Sequence, residues 1–262
     1  MGSVKGVPRR RQKTISCAIV VYNEERNIYD CLESAKWMDE IIVVDAFSQD
    51  KTVEISRKYT PRICQRPWIG HAEQKNYACD QATCDWVFIL DADERIGAEL
   101  AQELTRLAGD GENGAQHAAY AVRRNNVYLG RLMRHAGWGD SWAVRFFQRD
   151  RRFVEKRVHE GLEPVPDVGR LTNPLAHTPY RDLSHHVRKL VQYAEWGAAD
   201  LKDSGRRARV SDLMVRPGWQ FFRTYILQLG LLEGWRGLVL CGLAGVSVFL
   251  KYARLWDLER HA

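Results

Sequence analysis

Three short apolar runs, each rich in β-branched or aromatic residues and each closed by an acidic or amide side chain, constrain this chain more than any other feature. They are Ile15-Ser-Cys-Ala-Ile-Val-Val-Tyr22 ahead of Asn23 and Glu24, Ile41-Ile-Val-Val44 ahead of Asp45, and Trp86-Val-Phe-Ile-Leu90 ahead of Asp91. Near-continuous apolar runs of this length predict strands buried on both faces. Between them, Ile28, Cys31, Leu32 and Ala35 recur at helical spacing, and the turn Ser48-Gln-Asp50 opens a second helix over Thr52 to Lys58. Strands of this kind separated by helices predict an α/β domain with a mostly parallel sheet. Such sheets take their ligands beyond the carboxyl ends of the strands. Asn23-Glu24, Asp45 and Asp91-Ala92-Asp93 are therefore expected to converge on one edge.

With 262 residues, 45% of them apolar and 27% charged, the chain is long enough for one large domain or two small ones and too apolar for disorder. The net charge of +6 suits anionic ligands, nucleic acid or an anionic membrane. A nucleic-acid-binding protein would show a basic stripe interleaved with aromatics. Here the basic run Arg9-Arg-Arg-Gln-Lys13 is short and the expected ligand edge is acidic. A dinucleotide oxidoreductase would carry G-x-G-x-x-G after the first strand, and none is present. The six cysteines have neither C-x-x-C pairing nor zinc-finger spacing, which predicts reduced, inert thiols. No apolar leader follows the first basic residues, so a cytoplasmic protein is expected.

The second half reads differently. Ala118–Arg123 and Trp142–Gln148 are expected strands, joined by a glycine-rich aromatic stretch over 128–139. Pro164, Pro166, Pro174 and Pro179 predict an irregular connector over 161–182. Leu183 to Lys202 places Val187, Leu190, Val191, Ala194, Ala198 and Leu201 on one helical face. In the tail, Arg206, Arg207, Arg209, Arg216 and Arg223 precede the apolar Tyr225–Leu232, and Gly237 to Leu250 then runs 14 residues without a charge between Arg236 and Lys251. A span needs about 20 apolar residues. The shorter run, flanked by Trp235, Tyr252, Arg254 and Trp256, predicts a helix lying at a bilayer interface. The competing arrangement is a helical hairpin packed on its own domain, with Gly230, Gly234 and Gly237 permitting close contact. The expected organisation is a basic arm over 1–13, a catalytic domain over 14–182 and a helical, membrane-facing region over 183–262.

The acidic strand ends have a chemical use. Two carboxylates separated by one residue, Asp91 and Asp93, can share a hard cation with water and phosphate oxygens. Such a cation would neutralise a departing diphosphate.

Val20-Val-Tyr-Asn-Glu-Glu25, Ile42-Val-Val-Asp45 with Ser48-Gln-Asp-Lys-Thr52, Gln74-Lys-Asn76, and Trp86-Val-Phe-Ile-Leu-Asp-Ala-Asp-Glu94 together resemble the family 2 glycosyltransferases over residues 15 to 108. Val158-His-Glu160, Phe222-Arg-Thr-Tyr225, Gly230, Glu233-Gly234, Gly237 and Lys251-Tyr252 resemble the subgroup of lipopolysaccharide core β-glucosyltransferases that glucosylate heptose. The resemblance implies a GT-A fold and an inverting, metal-dependent transfer from a nucleotide-diphosphate sugar. Its most specific form is glucose from UDP-glucose, delivered to the inner-core heptose of a lipid-linked saccharide. Capsule or exopolysaccharide assembly on another lipid carrier is the alternative. The implied cofactor is Mg²⁺ or Mn²⁺, and the implied location is peripheral, at the cytoplasmic face of the inner membrane.

The resemblance also implies roles by position. Asn23 and Glu24 line the nucleotide pocket, Asp45 accepts from the base edge, and Lys75 meets base or phosphates unless it is only an exposed helix lysine. Asp91 faces the ribose or the metal, Asp93 holds the metal, and Arg145 contacts phosphate. Inversion needs a carboxylate that deprotonates the acceptor hydroxyl. Glu160 is the first candidate, with His159 able to orient it, and Asp140 is the second. The chain departs from the commoner Asp-x-Gly-Ser by having Asp45-Ala46-Phe47-Ser48, which puts the shape of that loop in question.

Overall fold

The computed structural model describes residues 13–109, 114–154 and 161–260. The three expected strands form as β1 (Ile15–Val21), β2 (Glu40–Asp45) and, after the short β3 (Ile63–Gln65), β4 (Trp86–Asp91). They alternate with α1 (Ile28–Ala35), α2 (Thr52–Ser56) and α3 (His71–Gln81). β5 (Glu94–Arg95) and α4 (Ala98–Ala108) follow, then β6 (Ala119–Tyr128), β7 (Arg131–Leu132) and β8 (Ser141–Gln148). The remaining strands are β9 (Phe153–Val154), β10 (Gly161–Leu162), β11 (Val168–Arg170) and β12 (Leu175–Tyr180). The chain ends in α5 (Leu183–Asp203), α6 (Val210–Phe222) and α7 (Trp235–Arg260).

The described residues divide into two compact units, one of 13–123, 143–154 and 161–175, the other of 124–142 and 176–260. In the first, the strand order is β3-β2-β1-β4-β8-β6. β1 pairs in parallel with β2 and β4, β2 in parallel with β3, and β8 is antiparallel to β4. This is a mixed, mostly parallel α/β sheet, as the sequence pattern predicts. Its burial explains the sequence pattern. Ile19, Val21, Val43, Phe88, Leu90 and Phe146 face one layer with Ile28 and Leu32 of α1 and Leu100 and Leu104 of α4. Ala18, Ile42, Val44, Val87, Ile89 and Phe147 face the other, against Ala72, Ala78 and Cys79 of α3. Both faces of each strand are covered, so its residues are apolar without alternation.

Several boundaries differ from the sequence reading. β6 runs on to Tyr128 because Leu129 (φ 46°) and Gly130 (φ 78°) close a tight hairpin onto β7, with Tyr128 opposite Arg131. Two consecutive positive φ angles match the twist of antiparallel strands, but Leu-Gly is a weak cue for it. The expected connector over 161–182 contains three strands: β10 pairs with β9, β11 runs parallel to β6, and β12 lies beside β6. α2 ends at Ser56, two residues short of Lys58. All six cysteines are free, five of them buried.

In the second unit, α7 packs along both α5 and α6. The apolar face expected on α5 splits: Leu190, Ala194 and Ala198 are buried, whereas Val187 and Val191 stay exposed. α7 likewise has two faces. Leu240, Cys241, Gly245, Tyr252 and Leu255 are buried, and Trp235, Leu238, Val246 and Phe249 are exposed at helical spacing. By length and composition it is the one helix among the described residues that suits a membrane. Gly237 and Gly230 allow the close approach foreseen for them: a Cβ on Gly237 would overlap the Gly230 carbonyl, and one on Gly230 would lie 2.7 Å from Cys241 Sγ. Gly234 is different, having open space around it and a positive φ of 62°.

Glu233, 2% exposed, ties the turn before α7 to the segment after β7. Its carboxylate accepts from the backbone N–H groups of Arg134 (2.8 Å) and His135 (3.0 Å) and lies 2.8 Å from His135 Nδ1. Burial works to raise its pKa, but the hydrogen bonds from Arg134 and His135 outweigh burial and hold it below the usual 4.5. A lowered carboxylate contributes stability above its unfolded pKa and loses it as the pH falls through the folded one. Glu233→Ala should destabilise the protein by about 1–3 kcal/mol in urea titration, because two partly buried N–H groups lose the acceptor that Glu233 supplies. In Glu233→Gln the loss of stability on acidification below about pH 4.5 should be shallower than in the native protein. Parallel acid profiles for the two would remove the charge from the account.

Candidate functional site

The register of β1 sets the geometry of the site. Val21 stands opposite Asp45 of β2, and Val20 opposite Asp91 of β4. The two carboxylates thus flank the carboxyl end of the strand between them, and Asn23 and Glu24 leave that same end. A row of polar groups level across three parallel strands is what a ligand-binding sheet edge requires.

The loop after β1 is laced to the loop after β2. Asn23 N–H donates to Ser48 Oγ (2.8 Å), and Asn23 Oδ1 accepts from Gln49 N–H (2.8 Å). Glu24 N–H donates to Thr52 Oγ1 (2.8 Å), and Glu25 N–H to Asp50 (3.0 Å). Glu24 also accepts from the Asn27 amide at 2.7 Å, at the start of α1. Asn23 adopts φ 54°, a left-handed conformation that Asn tolerates better than most residues. Asp45 is fully buried and accepts from Ser48 N–H (3.0 Å) and from the Gln65 side-chain amide (2.9 Å).

Phe47 answers the question raised by the missing glycine. It takes φ 61°, the conformation glycine would supply, so the turn keeps its shape with a half-exposed phenyl ring in place of a hydrogen.

At the end of β4, Asp91 sits between two cations. Arg145 from β8 bonds Asp91 and also Glu94, the latter at 2.7 Å, while Lys75 from α3 lies 3.7 Å from Asp91. Glu94 has no exposed surface and accepts from Asp91 N–H at 3.0 Å. Burial opposes the charge on Arg145, but the Asp91 and Glu94 carboxylates hold its pKa above the ordinary value. Lys75 is not the exposed helix lysine of the alternative reading. It is 6% exposed, and its ammonium also lies 5.5 Å from the centre of the Phe153 ring. Arg95 closes the Asp-Ala-Asp turn by donating to the carbonyls of Ala92 (2.7 Å), Glu94 (2.7 Å) and Asn27 (2.8 Å).

Asn23, Glu24, Asp45, Lys75, Asp91, Asp93 and Arg145 all belong to the first unit, whereas Asp140 belongs to the second, where it accepts from Trp142 Nε1 at 2.5 Å. Glu160 and His159 lie outside the described residues. Three contributors were missed in the sequence: Glu94, Arg95 and Gln65. Glu94 and Arg95 directly follow the Asp-x-Asp, where a charged pair after an acidic turn gave a usable signal. Gln65 ends a three-residue strand too short to be seen by pattern.

Among the described residues no three His, Cys, Asp or Glu side chains gather as a self-sufficient metal cage. The donor set at the end of β4 nevertheless fits Mg²⁺ or Mn²⁺, being all oxygen and anionic. Mg²⁺ in nucleotide sites is commonly held by one or two carboxylates plus the substrate's own phosphates and water. Asp91 and Asp93 would supply those carboxylates, Asp91 while also facing Arg145 and Lys75.

Comparison with known proteins finds a family and several relatives. The model of glycosyl transferase family 2 matches residues 16–164. The lipopolysaccharide core biosynthesis glycosyltransferase LpsC of Rhizobium meliloti (strain 1021) is 29% identical, over 95% of this chain and 93% of its own length. The uncharacterized glycosyltransferase RT0209 of Rickettsia typhi (strain ATCC VR-144 / Wilmington) is 26% identical, over 94% and 88%. Among solved structures, S. aureus TarS 1-349 in complex with UDP-GlcNAc covers 95% of this chain and 92% of that one, with 16% identity and a TM-score of 0.49.

Phe47→Gly tests the loop. It relieves a left-handed side-chain clash of about 1–2 kcal/mol and adds about 0.5–1 kcal/mol of backbone entropy cost. The net should be a small gain, read as a raised Tm. A fall of several degrees would show that the exposed ring makes contacts worth more than the strain.

Proposed function

The chain belongs to glycosyl transferase family 2, and from that premise we propose that it is an inverting, metal-dependent hexosyltransferase. It moves glucose from UDP-glucose to the inner-core heptose of a lipid-linked lipopolysaccharide precursor. The observation that carries the reading is the in-register pair Asp45 and Asp91 on either side of β1, with Asp93 two residues beyond. The printed function of LpsC, which aligns along nearly the whole chain, supports the acceptor.

In this reading the buried Asp45 accepts from the base edge of the nucleotide, held in place by Ser48 and Gln65. Asn23 and Glu24, fixed by the bonded loops, line the nucleotide pocket, with Glu24 towards the ribose. Asp91 faces the ribose, and its orientation is set by Arg145 and Lys75 rather than by the ligand. Arg145, buried between two carboxylates, acts here as the positioning residue for Asp91 in place of the direct phosphate contact expected from sequence. Asp93 and Asp91 would hold the divalent cation, which would supply charge neutralisation for the departing diphosphate. The acceptor hydroxyl gives its proton to a carboxylate as its oxygen bonds the anomeric carbon and the bond from that carbon to the UDP oxygen breaks, inverting the centre. Glu160 is assigned that proton, with Asp140 as second candidate and His159 as an orienting partner.

Catalysis is assigned to 14–182 and membrane contact to 183–262. α6 exposes Val215, Trp219 and Phe222 and α7 exposes Trp235, Leu238, Val246 and Phe249, apolar stripes suited to the surface that carries a lipid-linked acceptor. Attachment is peripheral, at the cytoplasmic face of the inner membrane.

Calorimetric titration with UDP, ADP and GDP, with and without Mn²⁺ or Mg²⁺, tests the donor. Tighter binding of UDP in the presence of metal is expected, and Asp93→Ala should abolish the metal effect and turnover while the circular dichroism spectrum stays native. Equal binding of all three nucleotides, or full turnover in Asp93→Ala, would overturn the assignment. Replacing both Trp219 and Phe249 by Glu should move the protein from the liposome-bound to the free fraction in flotation on anionic vesicles. Unchanged flotation would reject these stripes as the contact.

A further inference from the structure

A cavity of about 280 Å³ lies wholly within the second unit and has no role in the donor chemistry. Its polar lining comes from Trp138, Gln220, Arg223, Thr224 and Gln228, and its apolar lining includes Leu240 and Ala244. Ligand pockets run from about 300 Å³ upward; this one lies just below that range, which limits its occupant to a single sugar-sized group.

The backbone around the cavity is built away from the regular helix. α6 does not end at Phe222 but widens into a π-helical turn over Arg223–Leu227, closed by Gln228 N–H donating to the Arg223 carbonyl at 2.8 Å. Such turns occur disproportionately at functional sites. Leu229 next adopts φ 55°, an unfavourable angle for a branched side chain. The Gln228 carbonyl accepts from Ala136 N–H at 2.7 Å, and a Cβ on Gly137 would lie 2.7 Å from the Gln228 side-chain oxygen. The turn therefore holds Arg223 and Gln228 at the wall of the cavity, and strain at Leu229 is tolerated to do so.

The charge of the lining is one-sided. It contains no Asp or Glu, and Arg223 makes no ion pair among the described residues. Neighbouring arginines are engaged: Arg216 (2.5 Å) and Arg206 (3.4 Å) both bond Asp212, and Arg236 donates to the Leu129 carbonyl at 2.9 Å. A guanidinium fork matches a carboxylate or phosphate, and the primary amides of Gln220 and Gln228 can each donate to and accept from sugar hydroxyls. We propose that this cavity binds one negatively charged sugar unit of the acceptor, with Arg223 on its phosphate or carboxylate and Gln220 and Gln228 on its hydroxyls. Calling that sugar part of the acceptor rests on the transferase reading; the binding site itself does not.

The test uses the full chain, titrated first with UDP and Mn²⁺ and then, with the donor site so occupied, with glucose 6-phosphate, glucuronate and glucose. At least one of the two anionic probes should bind at least tenfold more tightly than glucose, and the better of them names the anionic group as phosphate or carboxylate. Arg223→Ala should weaken that probe tenfold or more, and Ala244→Leu, which fills the cavity without touching Arg223, should weaken it likewise. Native circular dichroism and an unchanged Tm in both variants should show that they fold, and UDP binding should be unchanged in both. Equal binding of all three probes, no binding of any, or binding indifferent to both substitutions overturns the proposal. Intact UDP binding with no anionic-sugar binding leaves the donor reading standing and this one refuted. Anionic-sugar binding at the cavity without UDP binding does the reverse.

Discussion

The cluster in which buried Arg145 is shared between buried Glu94 and the partly exposed Asp91 is the constraint around which the candidate site is organised. A charge removed from water is tolerated only when paired and hydrogen-bonded, and here one guanidinium from β8 is shared by two carboxylates from the end of β4 and the turn beyond it. That requirement locks the antiparallel register of β8 on β4, which also places Phe146 beside Phe88 in the core. It aligns Asp91 without any ligand, so the edge is organised before any ligand arrives. Such preorganisation is the ordinary basis of electrostatic catalysis.

β1 distributes that order along the sheet. Flanked by parallel partners on both sides, it sets Asp45 and Asp91 level, and the bonds from its trailing loop to Ser48, Gln49, Asp50 and Thr52 stiffen the space between them. A sheet built by parallel crossovers exposes all its equivalent strand ends on one side, so residues 46 positions apart in sequence come to flank one strand end without any long-range motif.

The first unit could be read from the chain because its signals are strong and local. A fully covered parallel strand must be apolar along its length, and a strand end followed by Asn or Asp is hard to mistake. What escaped reading depended on partners distant in sequence. Nothing in Ala143-Val-Arg-Phe-Phe147 says that Arg145 will be buried between two acids. Nothing in Gln74-Lys-Asn76 says that Lys75 will lie inward against Asp91 rather than in solvent. The β-strands after Gly161 were obscured by prolines, which sequence patterns penalise but which short strands near a sheet's margin accept. Phe47 shows the opposite case: an unfavourable residue occupies a conformation that the surrounding bonds to Asp45 impose.

The two-faced character of α7 has a consequence for how this helix can change over time. Along its inner side Gly237, Cys241 and Gly245 meet backbone and side chains at close range, so added volume there forces whole helices apart. Along its outer side Trp235, Leu238, Val246 and Phe249 touch little within their own unit. Substitutions accumulated by drift should therefore trace a helical stripe, with size conserved on one flank and only greasiness conserved on the other. The same 26 residues thus bear two independent constraints, one on volume and one on polarity.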